Sequence, residues 1–262
     1  MVASRLNEVT SVTHESIPSG VVLNTHVNAL SWNKVIDKVS NWVINGESRC
    51  VCLCNVHSTV TAQSDPEFAS VLSKSDLVLP DGMPVAWVLR SRGFKGQPRI
   101  SGPDLMWKCA EKFELLEQSV FLYGSTSESL EKLKEVMNET FPRLKIVGAI
   151  SPPFRELSSE EEATIVATIN ASGAHALFVA LGCPKQEQWM LKNRGIINAV
   201  MFGFGAAFDF HAGNIKRAPI WMQRAGLEWL HRLASEPRRL WRRYLVTNAS
   251  FLFSLLFRRH QA

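Results

Sequence analysis

Two polar side chains stand directly after short apolar runs, where they could do chemistry. Asn55 follows the run 51–54, and Asp81 follows the run 77–79. If both runs are parallel strands, their carboxyl ends meet at one edge of a sheet, where ligands bind. There a carboxylate could accept a proton and an amide could hydrogen-bond a ligand. On spacing alone a turn role is the better interpretation of Asp81, because most Asp-Gly pairs are turn residues.

Glycines follow two further apolar runs. Gly182 opens the segment GCPKQE, and Gly203-Phe204-Gly205 precedes AAFD. Glycines between a strand and a helix let backbone N–H groups approach a phosphate, which the helix N-terminus also attracts. The dinucleotide fingerprint needs a third glycine, but position 208 is Phe. The pattern is therefore a weak indication of a nucleotide site.

The elements that must position these residues alternate along the chain. Strands are predicted over residues 21–23, 51–54, 77–79, 120–123, 144–148, 176–181 and 199–202. Helices are predicted after Ser31, Asn55 and Ser101, over 128–140, from the capping box at Ser158 to Ala171, and from 182–184 through Trp189. This alternation predicts an α/β fold, with a mostly parallel sheet covered by helices on both faces.

Beyond residue 216 only helical spacing remains, and the charge changes with it. Residues 214–262 carry ten Lys and Arg against two Glu, a net charge of +8, whereas residues 1–213 carry 19 basic against 22 acidic residues, or −3. One helix is predicted over 221–232 and, after a break at Pro237, a second over 238–257. The second helix begins basic and ends in Phe and Leu, which is typical of an interfacial membrane helix. A helix packed on the body with a solvated basic face is the alternative.

Composition bounds the remaining classes of protein. The 262 residues suit one α/β domain with a small appendage, and 46% apolar with 20% charged residues exclude a disordered chain. No segment is long and apolar enough to cross a bilayer, and no signal-like stretch opens the chain. Three of the five Cys alternate over 50–54 and are expected as buried thiols on one strand face, with a metal site as the alternative. Such free thiols favour the cytoplasm.

A series of motifs carries a family resemblance. In chain order they are LPDG (79–82), SGPDL (101–105), FLYG (121–124), LGCPKQE (181–187), GFGAAFDF (203–210), KRAP (216–219) and GLEWLHRL (226–233). With Asn55 they resemble the WecG/TagA/CpsF family of glycosyltransferases over about residues 20–245. PKQE, KRAP and GLEWL-x-RL in this order are the most specific.

The resemblance implies an activity and its partners. Members transfer a sugar from a UDP-sugar, with inversion, to a sugar on a polyprenyl diphosphate in cell-surface polysaccharide synthesis. They act as peripheral proteins on the cytoplasmic leaflet. Their fold is Rossmann-like, with a C-terminal appendage that closes over the site. The resemblance implies neither a cofactor nor a metal, and the absence of a D-x-D triplet agrees with this.

The resemblance also implies site residues. Asp81, with Gly82 in the DG motif, matches the proposed general base, and Asn55 matches a donor-site Asn. Gln186 matches a donor-site Gln behind Gly182, and Asp209 is placed to accept hydrogen bonds from ribose or uracil. Guanidinium forks suit a diphosphate. The expected cationic set comprises Lys216, Arg217, Arg232, Arg239 and Arg242.

Several questions stay open from the sequence. Leu53 stands where many relatives carry Thr, so the donor sugar remains either an N-acetylhexosamine, such as N-acetylmannosamine, or glucose. We expect a flexible N-terminus (1–19), a glycosyltransferase domain (20–215) and a membrane- and acceptor-binding appendage (216–262), and a homo-oligomer is compatible with this division. A nucleotide-dependent oxidoreductase would use Gly203-Phe204-Gly205, with Glu228 as the acidic ribose partner. A non-catalytic nucleic-acid-binding protein would use the basic end, although the acidic body argues against that.

Overall fold

The structure, a computed structural model, describes residues 17–257 without the side chains of Arg239 and Arg243. The predicted flexible N-terminus therefore lies outside the described residues except for 17–19, and so does the basic end 258–262. The strands are β1 (Ser19–Val22), β2 (Thr25–Asn28), β3 (Arg49–Cys54), β4 (Leu77–Pro80), β5 (Ser119–Gly124), β6 (Lys145–Ile150), β7 (Ala176–Ala180) and β8 (Val200–Gly203).

Six of these strands form one sheet, in the order β4-β3-β8-β7-β5-β6. Every neighbouring pair in it is parallel, which confirms the predicted α/β class. From β3 the chain crosses to β4, toward one edge of the sheet, and from β5 it crosses to β6, toward the opposite edge. The direction of the crossovers therefore reverses between β3 and β8. Ligands of open α/β sheets bind beyond the carboxyl ends of the strands at such a reversal.

The helices follow the predicted alternation and add some that the sequence analysis missed. They are α1 (Trp32–Ile44), α2 (Val56–Ser64), α3 (Pro66–Lys74), α4 (Met83–Ser91), α5 (Gly102–Leu115), α6 (Ser127–Thr140), α7 (Ser159–Ala171), α8 (Lys185–Lys192), α9 (Ala207–His211), α10 (Ile220–Arg224), α11 (Glu228–Ser235) and α12 (Pro237–Phe257). Ser31 caps α1 and Asn55 caps α2, and the capping box at Ser158 is present.

Helices cover both faces of the sheet, and β3 shows why its sequence is apolar throughout. Val51 and Leu53 pack into one core with α1, α5, α6 and α9. Cys50, Cys52 and Cys54 pack into the other core with α3, α4 and α8. The three thiols are buried on one face, as predicted, because successive side chains of a strand point to opposite sides.

The single strand predicted over 21–23 is wrong in extent. The segment forms an antiparallel hairpin of β1 and β2, and the second strand was missed because its side chains alternate between buried and exposed. Asn28 accepts a hydrogen bond of 2.7 Å from the backbone N–H of Val78. This contact fixes the hairpin against β4 at the edge of the sheet.

The single helix predicted over 221–232 is also wrong. It is divided into α10 and α11 at Gly226, whose φ is +73°. A Cβ at Gly226 would lie only 2.7 Å from the Trp87 ring, so the close approach of the appendage to α4 requires glycine there. The predicted break at Pro237 is confirmed, and α12 packs along α2 and α11.

Candidate active site

Asp81 extends β4 by one residue at the carboxyl edge of the sheet. Its backbone N–H donates to the Cys54 carbonyl at 2.9 Å, which places it beside the end of β3. Gly82 has a φ of +101°, which side-chain-bearing residues rarely adopt, and α4 begins immediately after it. This turn fixes Asp81 at the strand end, where the residue as a whole is half-buried.

The surroundings of Asp81 raise its pKa above the ordinary value. The largest cause is burial, which disfavours the charged carboxylate, and the nearby Glu228 carboxylate acts in the same direction. Two guanidinium groups, Arg99 and Arg232, oppose the shift, as does a hydrogen bond with the Asn55 side chain. A carboxylate with a raised pKa accepts a proton more readily, so Asp81 is suited to be a general base.

Asn55 connects the ends of β3 and β4. Asn55 is the N-cap of α2, and its Oδ1 accepts a hydrogen bond from the backbone N–H of Ser58 at 3.2 Å. Because that oxygen serves the helix, the amide NH₂ is the group that can donate to Asp81. The structure thus brings the predicted donor-site amide and the predicted base together.

Arg99 belongs to this cluster, although the sequence analysis did not single it out. It lies two residues before Ser101, the N-cap of α5, and forms an ion pair with Glu228, the first residue of α11. The two side chains are 13% and 16% exposed. Its position directly ahead of the SGPDL motif was the signal that could have found it. Glu228 is engaged here, so it is not the ribose partner that the oxidoreductase alternative required.

Arg217 reaches the same region from the segment after α9. Its two terminal nitrogens lie 2.6 and 2.8 Å from the carboxylate oxygens of Asp104, in the first turn of α5. The fork also lies 3.3 Å from the Ser101 hydroxyl. Arg217 is thus held by a carboxylate, and the charges of Asp81 and Glu228 act on it as well. Its neighbour Lys216 is exposed.

Gln186 lies at the other side of the reversal point, in the first turn of α8. Its Oε1 accepts from the Gly182 backbone N–H at 3.3 Å, and its Nε2 donates to Glu187 at 2.8 Å. The Ser58 hydroxyl connects this region to the first one, since it lies 3.4 Å from Asn55 Oδ1 and 3.8 Å from Cys183 Sγ. Gly182 and Gln186 therefore neighbour the Asp81 cluster.

The glycines after β8 do not leave a free phosphate cradle. A Cβ on Gly203 would lie 3.0 Å from Gln186 Nε2, and one on Gly205 would lie 3.2 Å from Gln186 Oε1. The Gln186 side chain occupies the space above both glycines. This packing, with the missing third glycine, removes the support for a dinucleotide site.

Asp209 lies apart from the Asp81 cluster. Its Oδ1 accepts from the Ser129 hydroxyl at 3.2 Å and from the Asn214 amide at 3.4 Å, which tie α9 to the start of α6. No contact of Asp209 with Asp81 occurs among the described residues. Its predicted role toward ribose or uracil stays a prediction.

The predicted appendage arginines are not in equivalent positions. Arg232, on α11, is mostly buried, lies 5.3 Å from the Phe210 ring centroid, and acts on Asp81. Arg242 is exposed on α12, 5.2 Å from the ring centroid of its neighbour Trp241. The Arg239 side chain lies outside the described residues. Of this set, Arg232 is the one whose charge acts on the candidate base among the side chains that the structure describes.

Within residues 17–257, no three His, Cys, Asp or Glu side chains come together as a metal-binding group. The same part of the chain holds no helix long and apolar enough to cross a bilayer. Metal independence and membrane contact both stay predictions.

Comparison with known proteins agrees with the geometry. The model of the glycosyl transferase WecG/TagA/CpsF family matches residues 21–262. A protein of Bacillus spizizenii named N-acetylglucosaminyldiphosphoundecaprenol N-acetyl-beta-D-mannosaminyltransferase is 36% identical over 185 residues, 70% of each chain. A Bacillus subtilis protein of the same name is 32% identical over 192 residues, 73% of each chain. The chain with Asp81 at its sheet edge therefore belongs to the WecG/TagA/CpsF family and is a glycosyltransferase.

Proposed function

We propose that this glycosyltransferase moves one sugar from a UDP-sugar to a sugar carried on undecaprenyl diphosphate, with inversion, in cell-surface polysaccharide synthesis. The observation that carries the proposal is the Asp81 carboxyl, held at the sheet edge with a raised pKa among guanidinium groups. The shared name of the two Bacillus relatives supports the donor and acceptor classes.

In the proposed reaction Asp81 takes the proton from the attacking acceptor hydroxyl. The resulting oxygen forms a bond to the anomeric carbon of the donor sugar as the bond from that carbon to the diphosphate breaks. Negative charge develops on the departing UDP, and positive groups already in place stabilise it without reorganisation. The charges of Arg99 and Arg232 both act on Asp81, so these are the guanidinium groups best suited to this task.

The donor is proposed to lie across the ends of β3, β8 and β7. Asn55 and Gln186 offer amide groups there, and Gly182 and Gly82 keep the backbone free of side chains at the two turns. Asp209 would accept from ribose or uracil at the far end. Lys216 and Arg217 would complete the donor diphosphate site once donor is bound, and Arg239 and Arg242 on α12 would meet the diphosphate of the acceptor lipid, which makes neither a metal nor a cofactor necessary.

The acceptor lipid is proposed to reach the site along α12, with the protein peripheral on the cytoplasmic leaflet. Leu240, Thr247 and Phe251 form the buried side of this helix, and Ser254 donates to Gln63 on α2 at 3.2 Å. The opposite side carries Leu245, Val246, Leu252, Phe253, Leu256 and Phe257, which are between 59 and 67% exposed. Arg238 and Arg242 are exposed one to two turns earlier on this same side. Arginines on lipid phosphates with Phe and Leu among acyl chains suit an interfacial helix.

The donor sugar depends in part on Leu53. This side chain is buried at the end of β3 and would lie 3.0 Å from a Cβ on Gly102. It gives the floor of the site an apolar surface in place of a hydroxyl. We therefore keep N-acetylmannosamine, indicated by the relatives' names, and glucose as the two donor sugars to compare.

A transfer assay tests the proposal. Purified protein is given undecaprenyl diphosphate carrying N-acetylglucosamine, and UDP-N-acetylmannosamine or UDP-glucose, and the lipid product is weighed by mass spectrometry. We expect a lipid heavier by one N-acetylhexosamine or one hexose, with no product from the Asp81→Asn variant. Absence of product with every UDP-sugar and lipid-linked monosaccharide would refute the proposed acceptor class.

A further inference from the structure

The Arg99–Glu228 ion pair joins the sheet domain to the appendage. Its partners are 129 residues apart in the chain, one ahead of α5 and the other at the first position of α11. Both side chains are mostly buried. Exposed ion pairs contribute little, but removing one partner of a pair withdrawn from water leaves an uncompensated charge.

The guanidinium of Arg99 depends on this partner. Its Nε is buried and makes no hydrogen bond within the described residues, whereas a terminal nitrogen donates to Glu228 Oε2. A planar fork held at one end has a defined orientation. The Glu228 carboxylate therefore determines where the positive charge of Arg99 lies.

The pair lies near the candidate base, because the backbone N–H of Ile100, the residue after Arg99, donates to the Pro80 carbonyl at 2.9 Å, one residue before Asp81. The charge of Arg99 acts on Asp81 and on Asp104, and the charge of Glu228 acts on Asp81 and on Arg217. A displacement of the pair would therefore change the surroundings of the candidate base and of the Arg217–Asp104 contact together.

We propose that Glu228 is a positioning residue that acts through Arg99: it holds the guanidinium beside Asp81 and completes the site only when α11 is docked on the sheet domain. The inference rests on the proposed function in that Asp81 is taken as the base. In this proposal the appendage contributes to the active site through the Glu228 carboxylate as well as through its arginines.

Other contacts keep the appendage near the sheet when this pair is removed. Gly226 fits against the Trp87 ring, Arg232 lies over Phe210, and Ser254 on α12 donates to Gln63 on α2 at 3.2 Å. Substitution of Glu228 by Gln is therefore expected to change α11 locally and to leave the fold intact.

Four variants of the full chain test the proposal by transfer kinetics: Glu228→Gln, Arg99→Gln, the double variant, and Glu228→Asp. We expect Glu228→Gln to lower kcat/KM by about 10- to 100-fold, since misplacement of a group by about 1 Å has that effect. In the Arg99→Gln background the same substitution should lower kcat/KM by much less, because the group that Glu228 positions is already gone and only the direct effect of its charge on Asp81 and Arg217 remains. Glu228→Asp keeps the charge and should recover part of the loss.

The matched control is Glu162→Gln. Glu162 on α7 pairs with Lys192 on α8, so this substitution also removes one ion pair between two helices, away from Asp81. It should leave kcat/KM unchanged. Wild-type kcat/KM in Glu228→Gln, or an equal loss of kcat/KM in the Arg99→Gln background, would overturn the proposed role of Glu228.

Hydrogen exchange without substrate separates this inference from the proposed function. We expect the α11 amides to exchange faster than in wild type in both Glu228→Gln and Arg99→Gln, by the same factor. In the double variant they should exchange no faster than in either single variant. Wild-type exchange in both single variants would refute the tie between the domains. If the variants show the expected exchange but the wild-type protein transfers no sugar, the proposed function is refuted, whereas the role of the ion pair between the sheet domain and the appendage is not.

Discussion

The buried carboxyl of Glu187 should make the stability of this protein depend on pH. The side chain is 1% exposed, and its carboxyl group accepts hydrogen bonds from Gln186 Nε2 at 2.8 Å and from the Cys183 side chain. Burial raises its pKa from the ordinary value of 4.5 to about 7. The folded protein therefore keeps this proton through a pH range in which the unfolded chain has lost it.

The sign and size of the effect follow from this difference in pKa. Between pH 4.5 and 7 unfolding releases the proton, so the stabilising contribution of the neutral carboxyl is complete below pH 4.5 and is lost as pH rises through 7. The full difference corresponds to about 3 kcal/mol, most of which is lost between pH 5 and pH 8. Glu187→Gln removes the titration and keeps an oxygen that can accept from Gln186.

His211 must be separated from this effect. Its ring stacks on Trp107 with centroids 3.4 Å apart, and burial lowers its pKa from 6.5 to about 4. The unfolded chain takes up that proton first, so the contribution of His211 is present above pH 6.5 and is lost as pH falls through 4. The two groups act in opposite directions, and only the difference between Glu187→Gln and wild type isolates Glu187.

The assay is urea unfolding of both proteins from pH 5 to pH 8. We expect the free energy of unfolding of the variant to rise relative to wild type by about 2 to 3 kcal/mol over this range, which corresponds to at least about 5 °C in Tm. Glu131→Gln is the control, because that carboxylate is 67% exposed in a pair with Lys134 on α6. A difference between Glu187→Gln and wild type that stays constant with pH would refute the assignment of a protonated Glu187.

Three further predictions concern the activity. Asp81→Asn should lower kcat by about 10²- to 10⁴-fold, measured by single-turnover transfer. A wild-type kcat in this variant would show that Asp81 is not the general base. Leu252→Glu and Phe253→Glu on the exposed side of α12 should reduce sedimentation with anionic liposomes, while Leu115→Glu, an exposed leucine on α5, should not; equal binding of all three would contradict the membrane role. EDTA should leave the transfer rate unchanged, and inhibition that Mg²⁺ or Mn²⁺ reverses would show that the arginines do not replace a metal.

Much of the fold was predictable because local chemistry agrees with the tertiary structure. Apolar runs of three to six residues became the parallel strands, and Ser31, Asn55 and Ser158 capped helices as their side chains indicated. The motifs also identified the family, because PKQE, KRAP and GLEWL occur in one order. The errors occurred where the tertiary context decides: β2 is half exposed, and α10 and α11 are separated by a glycine required by Trp87.

The sequence by itself determined the α/β class and the charge asymmetry, since each depends on residue type and spacing, whereas Asp81 became the candidate base only through the family resemblance. Tertiary structure decided which charges meet. The ion pair of Arg99 with Glu228 spans 129 residues, and that of Arg217 with Asp104 spans 113, so no local pattern contains them. It also decided that Glu187 is enclosed while Asp81 as a whole residue is half-buried. The physical reason is that burial and Coulomb interactions depend on distance in space, which spacing along the chain does not specify.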